Sequence, residues 1–136
     1  TEITIPKTDP RLVGEYIKFS PRDMMDLAYV GVAVAYALGE KERRCENVRI
    51  VLGAVAPTPI RAPKAETLLE GRILTEELAT RAGEMAAQEA KPISDVRSSA
   101  DYRRAMVGVM TKRALLNAAL SRNGGVSWLD RRDRRY

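Results

Sequence analysis

The sequence contains no histidine. That removes the commonest general base, the Ser–His and Cys–His nucleophile pairs and most zinc sites. Cys45 is the single cysteine, so no internal disulfide is expected, and a cytosolic setting is the simplest reading. Phe19 and Trp128 stand alone beside five tyrosines, which is thin material for a base-stacking platform. The longest apolar run, residues 27–38, contains Gly31 and several alanines and is too short to span a membrane. No GxGxxG or P-loop pattern occurs; "GAVAP" (53–57) precedes no helix directly, and "NGGVS" (123–127) follows a helical pattern as a C-cap and turn. The chain opens on Thr1 without a signal peptide and reads as a fragment or a processed piece.

What is present describes one globular domain. The 136 residues are 45% hydrophobic and 30% charged. The net charge of +5 turns attention to anionic partners, but the terminal "LDRRDRRY" (129–136) holds four Arg against two Asp and so carries part of the excess. A stand-alone basic module binding protein or nucleic acid therefore stays as the alternative reading; it would need a concentrated basic face.

Organisation follows from periodicity. Residues 1–10, "TEITIPKTDP", read as a short strand over residues 2–5, cut from something larger, and a linker in which Pro6 and Pro10 forbid a helix. Glu15–Phe19 alternate as a first strand that Pro21 ends. From Ala28 the alternation is strict: Val30, Val32, Val34, Tyr36 and Leu38 point one way, Tyr29, Gly31, Ala33, Ala35 and Ala37 the other. The large face suits a helix layer. The Gly/Ala face either fills space within the domain or admits a neighbouring one. A polar connection, residues 39–47, leads to a strand over Val48–Val55.

The second half is helical. Lys64–Glu70 form a short helix stopped by Gly71. Thr75 caps the next, with Leu74, Leu78, Ala82, Met85 and Ala86 as its apolar stripe. Ser98 or Ser99 caps the last, which runs to about Ser121 with the stripe Tyr102, Ala105, Met106, Val109, Arg113, Leu116 and Leu120. Tyr102 is expected to be largely buried, and Arg113 either paired or snorkelling. Strands followed by helices predict an α+β fold, a three- to four-stranded antiparallel sheet with three helices on one face. The domain core is expected over 11–122, with 123–136 as a basic C-terminal tail.

Two polar groups stand out. Glu66 and Glu70 lie at i, i+4 and read as a solvated face. "PISDVRSSADYRRAM" (92–106) is the densest polar stretch; Asp95 is expected to accept bonds from loop amides and to pair with an Arg, and Ser98 with Asp101 resembles a capping box.

The blocks "YIKFSPRDMMDLAYVGVAV", "IVLGAVAPTPIRAPKAETLLEGRILTEE" and "PISDVRSSADYRRAMVGVMTKRAL" occur in this order and spacing. Together they closely resemble the C-terminal domain of the FAD-binding, medium subunit of molybdenum hydroxylases, the carbon monoxide dehydrogenase and xanthine dehydrogenase family, over about residues 12–120. The resemblance implies an accessory domain without catalysis of its own. It implies FAD held mainly by preceding domains, and molybdopterin and 2Fe-2S clusters on partner subunits. It also implies partners: the FAD-binding domains of the same subunit, an iron–sulfur small subunit and a molybdopterin large subunit. The turn "SPRDMMDLAYV" would approach the flavin, with Leu27 as an apolar contact, Asp26 as a carboxylate tuning the potential, and Arg22 and Asp23 bracing the turn. Met24 and Met25 are a departure from many relatives.

Overall fold

The computed structural model describes residues 2–3, 9–21, 27–40 and 44–121. Four strands form one antiparallel sheet in sequence order: β1 (Leu12–Phe19), β2 (Val30–Leu38), β3 (Cys45–Gly53) and β4 (Ile60–Arg61). Three helices follow, α1 (Pro63–Leu69), α2 (Glu76–Glu89) and α3 (Ala100–Ser121). The α+β architecture is the expected one. The strand expected over residues 2–5 and the tail 123–136 lie wholly or largely outside the described residues.

The alternation in β2 decides where the core sits. Val30, Val32, Val34, Tyr36 and Leu38 are all buried, and β3 adds Cys45, Val48, Ile50 and Leu52 to the same face. Helix α3 lies against β1 and β2, and α1 against β3. A tyrosine hydroxyl buried without a partner would oppose folding. The Tyr36 hydroxyl instead donates to the carbonyl of Leu115 at 2.7 Å, stitching the central strand to α3. The Gly/Ala face is less covered: Ala33 and Ala35 are half-buried, while Leu12 and Tyr16 beside them are exposed.

Strand β3 corrects one expectation. Glu66 does not lie on a solvated face, and Glu70, though exposed, is bonded to the backbone of β3. Glu66 is buried; it accepts from the Ile50 amide at 2.8 Å and from the Arg61 guanidinium. Glu70 accepts from the amides of Asn47 and Val48 at 2.8 and 3.0 Å. Strand β4 pairs only with Val51 and Leu52 of β3. The rest of that edge would leave amides unpaired, and the carboxylates of Glu66 in α1 and of Glu70 at its C-cap occupy those of Asn47, Val48 and Ile50. Gly71, at φ +72°, then turns the chain so that its amide reaches the Cys45 carbonyl at 2.8 Å.

Helix starts follow the capping signals. The Thr75 hydroxyl accepts from Leu78 N at 3.1 Å, and that of Ser99 from Tyr102 N at 3.2 Å. Asp101 pairs with Arg104 rather than completing a capping box. The buried positions of α2 are Leu78, Ala79, Ala82, Gly83 and Ala86, close to expectation, with Leu74 and Met85 packed at the margin. Those of α3 are not. Arg103, Val107, Met110, Thr111, Ala114, Leu115 and Ala118 are buried, whereas Tyr102, Ala105, Val109, Arg113 and Leu120 are exposed and Met106 and Leu116 lie at the flank. The helix is turned by about one residue, or roughly 100°, from the expected face. Arg103, not Arg113, is the buried cation, and Tyr102 is 47% exposed. Helices α2 and α3 meet at two glycines, Gly83 and Gly108, whose backbones touch.

Candidate functional site at the loop end of the sheet

Three connections converge at one end of the sheet. The first leaves β1 at Phe19 and returns at Tyr29, the second follows β3 from Gly53, and the third joins α2 to α3 over residues 90–99. They enclose a shallow groove of about 530 Å³ lined by Leu27, Ala28, Ala54, Ala56, Pro57, Lys91, Ile93, Asp95, Arg97 and Arg103. Among the described residues its walls are mostly apolar, and three cations stand against one carboxylate. Leu27, Ile93 and Val96 are 67%, 74% and 104% exposed, so this end presents an apolar rim.

Arg103 binds the three loops together. Its Nη2 donates to both Asp95 oxygens at 2.9 Å, and its Nη1 to the carbonyls of Tyr29 at 3.2 Å and Ala54 at 3.3 Å. Its guanidinium carbon lies 5.6 Å from the centre of the Tyr29 ring, and Phe19 meets that ring edge-on from 6.1 Å. Ala54 adopts φ +62°, which costs a non-glycine residue of the order of 1 kcal/mol. That conformation accompanies a carbonyl that serves the guanidinium. The Lys91 amide reaches Val55 O at 2.9 Å and closes the third side.

Asp95 is as heavily engaged. Desolvation pushes its pKa up, but the amides of Arg97 and Ser98 and the Arg103 guanidinium outweigh it and hold the carboxyl below its ordinary 3.8. The expectation that Asp95 accepts loop amides and pairs with an Arg is met, with Arg103 and the more exposed Arg97 both as partners. Of the four residues expected at a flavin contact, Leu27 lies on the groove; Arg22, Asp23 and Asp26 fall outside the described residues. Sequence reasoning missed Tyr29, Ala54, Lys91 and Ile93, which carry no motif, and placed Arg103 only in a helical turn.

Among the described residues no group of three or more His, Cys, Asp or Glu could hold a metal ion, and no helix is long and apolar enough to cross a membrane. Residues 15–118 match the family model described as the CO dehydrogenase flavoprotein C-terminal domain. The chain belongs to this family. This flavoprotein C-terminal domain is 38% identical over 121 residues to the carbon monoxide dehydrogenase medium chain of Hydrogenophaga pseudoflava, covering 89% of the chain and 41% of that relative. It is 27% identical over 119 residues to the xanthine dehydrogenase FAD-binding subunit of Escherichia coli O157:H7, covering 88% and 40%. Among solved structures, the carbon monoxide dehydrogenase of Hydrogenophaga pseudoflava, in a form lacking the Mo-pyranopterin moiety, superposes with a TM-score of 0.77 at 36% identity over 87% of the chain and 40% of that structure's. Quinoline 2-oxidoreductase from Pseudomonas putida 86 gives 0.75 at 32%, over 82% and 38%. The flavoprotein C-terminal domain thus spans about two fifths of the length of these relatives.

Proposed function

We propose that this domain completes the FAD-binding subunit of a molybdenum hydroxylase and turns its loop end toward the flavin. The observation that carries the reading is Leu27, two-thirds exposed on the rim of an apolar, cation-bearing groove in a chain of this family. The residues fit one edge of a ring system better than a whole dinucleotide. Apolar walls suit a planar ring, but no glycine-rich turn opens a helix among the described residues to cradle phosphates. Bound FAD would supply electron transfer between iron–sulfur clusters and an acceptor. Leu27 would cover the ring edge and exclude water. The Asp26 carboxylate would set the local potential, with Arg22 and Asp23 bracing the turn. Partners in this reading are the FAD-binding domains of the same subunit, an iron–sulfur small subunit and a molybdopterin large subunit, in the cytoplasm.

The nucleic-acid alternative finds no support. Among the described residues Arg11, Arg61, Arg97, Arg103, Arg104 and Lys112 are paired with carboxylates of this chain.

The test is made in the assembled enzyme. Asp26→Ala should raise the flavin reduction potential, because a nearby negative charge disfavours added electrons. Leu27→Ala should increase solvent access to the flavin, read as quenching by a soluble quencher. A wild-type potential in the first and wild-type quenching in the second, with only lower melting temperatures, would refute the reading.

A further inference from the structure

We infer that Arg103 and Asp95 are positioning residues that fix the pose of Leu27 on the groove. The inference rests on the flavin-facing reading above and goes beyond it by naming what holds Leu27 in place. Among the described residues every partner of the Arg103 head group belongs to a loop at this end: Tyr29 from the first, Ala54 from the second, Asp95 from the third. None of its hydrogen bonds serves the sheet ladder or the α2–α3 packing. Tyr29 is two residues from Leu27, and its ring is held between Phe19 and the guanidinium.

Burying this cation is otherwise unfavourable. The side chain is 6% exposed, and among the described residues its Nε is buried with no acceptor. A carboxylate and two carbonyls, arranged to suit a planar fork, satisfy the remaining nitrogens; an ammonium on a flexible stem does not match that geometry. Asp95 is in turn oriented by the amides of Arg97 and Ser98, so its oxygens face Arg103 without having to be ordered by it. The result is a prearranged strut from α3 across three loops, and its free end is the segment that carries Leu27.

The experiment uses the intact FAD-binding subunit in its assembled enzyme, with Arg103→Met, Arg103→Lys, Asp95→Asn and Leu27→Ala. Leu115→Ala serves as a control, since Leu115 is fully buried on α3 and does not line the groove. Amide exchange is read at Tyr29 and Lys91, whose N–H groups bond to Phe19 O and Val55 O. The flavin absorption bands are read alongside. Arg103→Met and Asp95→Asn should accelerate exchange at both amides by roughly tenfold or more relative to the β2–β3 ladder, because a local opening is released. Both should shift the flavin bands, and Arg103→Lys should restore them in part. Leu115→Ala should lower the melting temperature while leaving the bands in place and the two amides no faster than the ladder. If Leu27→Ala shifts the bands while Arg103→Met and Asp95→Asn do not, the positioning role is overturned and the flavin-facing reading stands. If none of the three shifts them, the flavin-facing reading falls and takes this one with it. Should Arg103→Met fail to fold, Asp95→Asn, which preserves shape, decides alone.

Discussion

At the scale of the residue, Asp95 and Cys45 are displaced in opposite directions, and each displacement is readable at its own pH. Asp95 is held below its ordinary 3.8. Its contribution to stability is therefore complete above that value and is lost as pH falls through the lower folded one. Burial, and secondarily the charge of Glu70, push the Cys45 thiol from 9.0 up to about 11. The unfolded chain releases that proton first, so stability falls as pH rises from 9.0 through about 11. Urea midpoints followed against pH should lose part of their acid slope in Asp95→Asn and part of their alkaline slope in Cys45→Ala. Wild-type slopes in both variants would contradict these assignments. The partnership of Asp95 with an arginine was visible in "SDVRSSADYRR"; which arginine was not. Arg97, Arg103 and Arg104 all lie within reach in sequence, and only the rotation of α3 sends Arg103 inward while Arg104 pairs with Asp101. Asp26, Arg22 and Asp23 were suggested by resemblance alone, and no periodicity places them.

At the scale of the element, the crossing of α2 and α3 is asymmetric. A Cβ on Gly83 would fall well inside contact distance of the Gly108 carbonyl, whereas one on Gly108 would meet Gly83 O at an ordinary 3.5 Å. Gly83→Ala should destabilise by about 1–3 kcal/mol through overpacking. Gly108→Ala should stabilise by about 0.4–1 kcal/mol through a less flexible unfolded chain. Chemical denaturation of the two variants checks this; equal effects would mean that the helices do not cross there. Strand β2 was legible because its alternation is unbroken and its large face is wholly apolar. The face of α3 was not, because Arg103 and Thr111 lie on the buried side and Tyr102, Val109 and Leu120 on the exposed side. Binary patterning reads such a helix one residue out of phase. Strand β4 escaped notice for a different reason: two residues between prolines carry no period. Glu66 and Glu70 misled because a carboxylate pair on a short helix is ordinarily wet, and the edge amides it serves are more than ten residues away in sequence.

At the scale of the whole molecule, the domain has a groove but no cradle for a dinucleotide among its described residues. Expressed alone, the chain should purify without flavin absorbance, and added FAD should elute apart from it in gel filtration. Co-elution of a stoichiometric yellow species would show that the domain holds the cofactor by itself. The carboxylates of Glu66 and Glu70 have a further consequence, for growth. An open sheet ordinarily offers two flanks for strand addition, and a unit with two live flanks can polymerise without limit. Here β4 is too short to template a partner, and the β3 flank beyond it is occupied by Glu66 and Glu70. The opposite flank belongs to β1, which has β2 as its neighbour among the described residues. On the β3–β4 flank, growth by strand addition therefore stops, and the carboxylates that occupy its amides act as chain terminators.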